Sequence, residues 1–316
     1  MCTAANYITE RGVFFGRNYD YEISFHENIY VTPRNFPLAF RYVQHLDDDQ
    51  LNNHQAMIGV ATGIIRDYPL YYDAANESGL CMAGLNFANN AVYNDYCDKL
   101  VNIAPFELIP YVLTNAENVK EAKKVLSDVN IIDVDYSSNL PNSPLHWMIS
   151  DVDGKSIVVE PLKNKLKIYK NDIGVLTNNP PFDYQKNELN KYMGLSVKNP
   201  SNDFGIELNE YSRGMGAYGL PGDYSSTSRF IKASFVRANS KSIPYYEMEQ
   251  FFKILESVQQ PRGLTLVNDS DYEYTIYSSC YNDGFLLYKT YLDNDIKSDH
   301  INNYNLNSQK LIKKVL

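Results

Sequence analysis

Three side chains in the first twenty residues have types and spacing that point to chemistry: Cys2, Arg17 and Asp20. Cys2 follows the starting methionine directly, and methionine is normally trimmed when the next residue is small. Trimming leaves a thiol and a free α-amine on one residue, with reference pKa values of about 8.5 and about 7.7–8.0. At neutral pH that amine can act as base for its own thiol, which is the activation an N-terminal nucleophile requires. An arginine nearby favours the thiolate, and a carboxylate can hold and orient the amine. The plain alternatives are an incidental cysteine in second position and an exposed Arg17–Asp20 ion pair contributing about 0–1 kcal/mol.

For these groups to meet, the chain must fold back on itself. Two apolar runs, 3–8 and 13–15, flank the turn-like Glu10-Arg11-Gly12. Paired as a hairpin, they return Arg17 and Asp20 to Cys2. Further along, 28–32, 56–61 and 80–87 read as strands, with an irregular segment at Asp67-Tyr68-Pro69. Gly79, just before the third of these, and Gly84 within it suggest a place where another backbone passes closely. Residues 105–113 open a helix on a proline, and 117–129 follow with an apolar stripe at 119, 122, 125, 126 and 129, capped by Thr114 or Asn115. Hairpins are expected at 145–160, around Asp153-Gly154, and at 272–291, around Asn282-Asp283-Gly284. Between them, 166–169 and 174–177 extend the strands. Helices fall at 182–192, 225–239 and 245–258, and 193–224 is a long loop. No repeat or linker interrupts this order, and the tail after Asp293 is polar and unassigned. The pattern predicts one α+β domain over 1–316: mostly antiparallel sheets packed together, with helices outside.

Composition narrows the possibilities. A 316-residue chain that is 44% hydrophobic can bury a sizeable core, and a net charge of −9 argues against general nucleic-acid binding. No apolar stretch approaches a membrane span, and the N-terminus lacks the regions of a signal peptide, so a soluble cytoplasmic protein is expected. Cys81, Cys97 and Cys280 form no CxxC pair with Cys2 or each other, and His26, His45, His54, His146 and His300 are scattered. No disulfide framework, metal site or cofactor follows from such spacing. His146 and Trp147 read as core packing. The 27 tyrosines suit either half-buried strand faces and subunit contacts or an aromatic-lined cleft.

The opening MCTA and the string FGRNYDYE at 15–22 are similar to the choloylglycine hydrolase family of bile salt hydrolases and penicillin V acylases. So are GLNF at 84–87, SPLHWMISD at 143–151, LTNNP at 176–180, GLPGDYSSTSRF at 219–230 and EYTIYSSC at 273–280. The resemblance covers nearly the whole chain except the tail. It implies an N-terminal nucleophile (Ntn) hydrolase with an αββα sandwich, a cysteine amidohydrolase without a cofactor, and a homotetramer. It implies Cys2 as nucleophile, Arg17 and Asp20 as its neighbours, and Asn86, Asn178 and Arg229 as the remaining site positions. Asparagine at 86 resembles the bile salt branch, since the acylases more often carry tyrosine there. The substrate implied is a glycine- or taurine-conjugated bile salt, with Ile23, Phe25, Ile65, Tyr68 and Leu140 lining its pocket beside Pro141. Two rival readings stand beside it: the same chemistry on penicillin V, and a catalytically idle binder of apolar ligands.

Overall fold

The structure is a computed structural model and describes residues 1–43, 53–65, 68–138, 140–163, 165–209 and 212–315. The first half of the chain supplies β1 (Cys2–Thr9), β2 (Gly12–Tyr21), β3 (Asn28–Thr32), β4 (Met57–Ile65), β5 (Tyr68–Asn76), β6 (Cys81–Asn86), β7 (Val101–Ile103), β8 (Val129–Ile131) and β9 (Leu145–Ser150). The second half adds β10 (Ser156–Leu162), β11 (Lys165–Lys170), β12 (Val175–Leu176), β13 (Thr265–Leu266), β14 (Tyr272–Asn282), β15 (Phe285–Thr290), β16 (Lys297–His300) and β17 (Ile312–Val315). The α-helices are α1 (Leu108–Asn115), α2 (Val119–Leu126), α3 (Phe182–Glu188), α4 (Ser226–Asn239) and α5 (Glu247–Glu256).

Two antiparallel sheets face one another. One runs β12-β1-β2-β14-β15-β16 with β13 beside β14; the other runs β11-β10-β9-β6-β5-β4-β3-β17. Helices α4 and α5 pack against β1, β12 and β14 on one outer face, and α1 packs against β5 and β6 on the other, with α2 alongside. This is an αββα sandwich. Its first apolar cluster joins the sheets to α4 and α5 through residues such as Phe15, Val60, Met148, Phe230 and Phe252. The second lies under α1 and α2 and includes Leu108, Val112, Trp147 and Ile157. Helix α5 shows the sequence logic: Phe251, Phe252, Ile254 and Leu255 are buried while Lys253 between them reaches solvent. Each such fully buried side chain contributes about 1.5–3 kcal/mol of transfer free energy.

The N-terminal hairpin turns on two residues, with Thr9 paired to Gly12. Gly12 has φ +134°, a conformation closed to most side chains, which is why glycine ends this turn.

Several expectations require correction. Tyr68 and Pro69, read as irregular, belong to β5, and Asp67 lies outside the described residues; Pro69 is accommodated where the β4–β5 register shifts between Thr62 and Ile65. The helical stripe read to Val129 ends at Leu126, and Val129 starts β8, which pairs in parallel with β7. The helix cap is Asn118, whose side chain accepts from Glu121 N at 3.0 Å; Thr114 and Asn115 instead end α1. Gly84 adjoins a side chain, with the Trp147 indole 3.2 Å from where a Cβ would stand. The polar tail also contributes two edge strands, β16 and β17, the latter pairing Ile312 with Val31. Their charged sequences, KSDH and IKKV, hide strand character and suit sheet edges. Among the described residues no helix is long and apolar enough to cross a membrane.

Candidate active site

The two-residue alternation of a strand sorts the N-terminal side chains onto opposite faces. Cys2 lies opposite Tyr19 and Ala4 opposite Arg17, so Cys2, Arg17 and Tyr19 share the face toward the other sheet. Thr3, Asn18 and Asp20 point toward α4 and α5. On the inner face Arg17 Nη2 donates to Cys2 Sγ at 2.5 Å. Its Nη1 donates across the sheet gap to Tyr72 O at 3.1 Å and Gly84 O at 2.5 Å. The guanidinium is wholly buried. Burial opposes its charge, but the Cys2 sulfur, Tyr277 and Asp73 outweigh that effect and hold its pKa above the ordinary value. A fixed, charged fork therefore abuts the thiol, the setting in which cysteine becomes reactive.

On the outer face the Asp20 carboxylate accepts from Thr275 Oγ1 at 2.5 Å and Gln260 Nε2 at 3.5 Å, and stands 3.9 Å from Arg229 Nη1. The part of Asp20 that borders the thiol is its main-chain oxygen, 3.9 Å from Sγ, and the same oxygen accepts from the Met1 amine at 3.0 Å. That amine also pairs with Glu273, and burial holds its pKa below the usual value.

Arg229, in the first turns of α4, and Asn178, just past β12, close the site from the end. Cys2 N donates to Asn178 Oδ1 at 2.7 Å, and Arg229 Nη2 donates to the same oxygen at 2.8 Å. Arg229 Nη1 holds Cys2 O at 2.7 Å and Thr3 Oγ1 at 2.6 Å, while Nε reaches Tyr224 O at 3.0 Å. Burial depresses the Arg229 pKa, against the pull of Asp20 and Cys2. Asn178 Nδ2 donates to Asn86 O at 2.8 Å, which leaves its second hydrogen for another acceptor. Asn86, at the end of β6, is exposed on the wall of the cavity that Cys2 also lines. The six site positions thus converge on one place. Thr275, Gln260 and Ser226, whose Oγ accepts from Asn178 N at 2.8 Å, belong to the same network and were not singled out from the sequence. The one signal for Thr275 was its place in the EYTIYSSC block, directly opposite Asp20 in the β14–β2 pairing.

The cavity in front of Cys2 measures about 420 Å³. Tyr19 and Tyr72 pack at 4.7 Å between ring centroids, Tyr21 and Phe25 at 5.5 Å, and Phe106, Tyr136, Leu140 and Pro141 face them. Burial raises the pKa of Tyr19 and Tyr72, so this wall stays uncharged. Of the expected pocket residues, Phe25 and Leu140 line the cavity. Ile23 does not: it is 51% exposed, because its loop turns the side chain outward. Ile65 and Tyr68 pair through their backbones, and their side chains lie outside the described residues. A larger cavity of about 860 Å³, between the first hairpin turn and the end of α4, is lined by Arg11, Arg237, Lys241, Glu10 and Glu247 and lies away from the thiol. Among the described residues no group of three or more His, Cys, Asp or Glu side chains is placed to hold a metal ion.

A thiol on the second residue, at the start of a central strand in an αββα sandwich, defines the Ntn hydrolase class. The chain belongs to the linear amide C–N hydrolases, choloylglycine hydrolase family, which it matches over residues 2–314. It is 49% identical to the bile salt hydrolase/transferase of Lactiplantibacillus plantarum over 318 residues, covering 99% of this chain and 96% of that one. A cysteine-to-alanine variant of conjugated bile acid hydrolase from Clostridium perfringens superposes with TM-score 0.90 at 38% identity, covering 99% of this chain and 96% of the other. Penicillin V acylase from Agrobacterium tumefaciens shares the fold, with TM-score 0.77 at 22% identity and coverage of 99% and 90%.

Proposed function

We propose that the protein hydrolyses the amide joining a steroid acid to glycine or taurine, through an acyl-thioester on Cys2. The observation that carries this reading is the Arg17-bound thiol at the base of an aromatic cavity, in a chain so similar to a bile salt hydrolase. The apolar walls suit a rigid steroid acyl group, and a volume of about 420 Å³ lies within the usual range for ligand sites.

The Cys2 thiolate adds to the amide carbonyl, whose oxygen becomes an oxyanion beside Asn178 Nδ2 and Asn86. Removing one such donor typically costs about 2.7–4 kcal/mol of barrier. Collapse breaks the C–N bond, and the Cys2 α-amine passes the proton taken from the thiol to the departing amine. Water then adds to the thioester, the C–S bond breaks, and the free acid leaves with the thiol restored. Arg17 stabilises the thiolate, Arg229 holds Asn178 and the Cys2 carbonyl, and Asp20 anchors the strand end through Thr275 and Arg229. The Lactiplantibacillus relative is a bile salt hydrolase/transferase; the same thioester gives acyl transfer when an amine, in place of water, attacks it and the thiol leaves.

The reading extends to a cytoplasmic homotetramer. Four free cysteines, Cys2, Cys81, Cys97 and Cys280, suit a reducing compartment.

The test is side-by-side turnover of glycocholate, taurocholate and penicillin V by wild type and Cys2→Ala. Bile salt cleavage that disappears in the variant is expected. Penicillin V cleavage with inert bile salts would replace this reading with the acylase one. Undiminished turnover by Cys2→Ala would end the thioester mechanism.

A further inference from the structure

Beneath the two asparagines that flank the thiol lies a wholly buried histidine. His146, on β9, has no solvent exposure, and both ring nitrogens are engaged. Nε2 lies 2.7 Å from Thr177 O, the carbonyl directly before Asn178. A carbonyl only accepts, so Nε2 carries a proton. Nδ1 lies 3.1 Å from Glu160 Oε1, and Phe182 N, just past the Asn178 loop, donates to that oxygen at 2.9 Å. The ring stacks on Phe87, the residue after Asn86, with centroids 4.2 Å apart and planes 8° from parallel. Glu160 is fully buried, and its Oε2 has no hydrogen-bond partner among the described residues. A buried carboxylate with an unpaired oxygen is a cost that packing alone does not require, since an apolar pair would fill the space more cheaply.

We propose that His146, held by Glu160, is a positioning residue for the oxyanion site: it ties the strand end bearing Asn86 to the loop bearing Asn178. The ring grips one neighbour of each asparagine, and the direct Asn178–Asn86 bond completes the link. Small misplacements of such donors lower rates by large factors. The inference rests on the proposed oxyanion roles of Asn86 and Asn178.

The test exploits a difference between two reactions of the same thiol. Amide hydrolysis passes through an oxyanion; alkylation of Cys2 by iodoacetamide does not. In His146→Phe, which keeps the stack on Phe87 but loses both polar contacts, kcat for glycocholate should fall about tenfold to hundredfold. KM and the Cys2 alkylation rate should stay within about twofold of wild type, as only the oxyanion contacts change. His146→Gln, whose amide reaches as far as Nε2, should recover part of kcat. A His146→Phe/Glu160→Leu double variant removes the stranded carboxylate and keeps the comparison available if the single variant unfolds. Unchanged kcat in a folded variant, or kcat and alkylation falling together, overturns the inference while leaving the proposed function standing. Wild type inert toward conjugated bile salts would overturn both.

Discussion

A buried thiol becomes a nucleophile when a base is beside it, and in the proposed mechanism that base is the free α-amine of Cys2. With Met1 attached, the Cys2 nitrogen is an amide that donates to Asn178 Oδ1 and has no lone pair to offer. The Met1 amine sits elsewhere, against Asp20 O and Glu273. Protein made while methionine aminopeptidase is inhibited should therefore be one methionine heavier by intact mass and at least about a hundredfold less active, the low end of what a positioned base supplies. Full activity in the heavier species would refute the amine as base. At this scale the sequence was informative where residue type and position coincide with rare chemistry: a second-position cysteine, and the arginine and asparagines inside recurring strings. It did not single out Thr275, Gln260 or Ser226, because hydroxyls and amides are common everywhere and the fold brings these to Asp20 and Asn178. Ile23 shows the opposite failure. A position in a loop near the site does not determine which way the side chain turns, and Ile23 turns to solvent.

Helix α4 delivers Arg229, so its first turn bears on the site. Asp223, two residues before the Ser225 cap position, accepts from Ser225 N at 2.9 Å and from Ser228 Oγ at 2.6 Å. Those hydrogen bonds, from Ser225 first and Ser228 second, hold the Asp223 carboxyl down at about 2. A depressed carboxylate stabilises the folded state above its unfolded value near 4, and the contribution is lost as pH falls through the folded value. Asp223→Ala should cost about 0.5–1 kcal/mol at pH 6, a melting decrease of about 1–3 °C, with the gap shrinking as pH is lowered toward 3. Equal melting temperatures at pH 6, or a gap that widens in acid, would refute the brace. Elements of this kind were legible where periodicity and turn residues agree, as in the hairpins at Asp153-Gly154 and Asn282-Asp283-Gly284. They were not where partners decide: β5 through Pro69, β8 after α2, and the charged edge strands β16 and β17 take their form from the strands they pair with.

On the scale of the whole molecule, the αββα layering buries two apolar clusters but leaves large side chains exposed in one long connection. Within the long segment between α3 and α4, Met193 is 83% exposed, Phe204 76% and Tyr218 88%, with Val197, Ile206 and Leu208 also open to solvent. Hydrogen bonds within it run from Ser196 N to Gly216 O at 2.8 Å and from Asn199 Nδ2 to Ser212 O at 2.8 Å. Large apolar side chains left open in this way gain stability when another surface covers them, and a second copy of the chain is always at hand. On the proposed homotetramer, light scattering should return four times the 36.2 kDa chain mass. Phe204→Asp combined with Tyr218→Asp places charge where contact is needed and should shift the population to smaller species. Because Phe204 and Tyr218 are exposed and line no part of the Cys2 cavity, iodoacetamide should still alkylate the thiol of that variant at the wild-type rate. A wild-type protein that scatters as a monomer at micromolar concentration, with the segment intact, would remove the assembly reading while leaving the chemistry at Cys2 untouched.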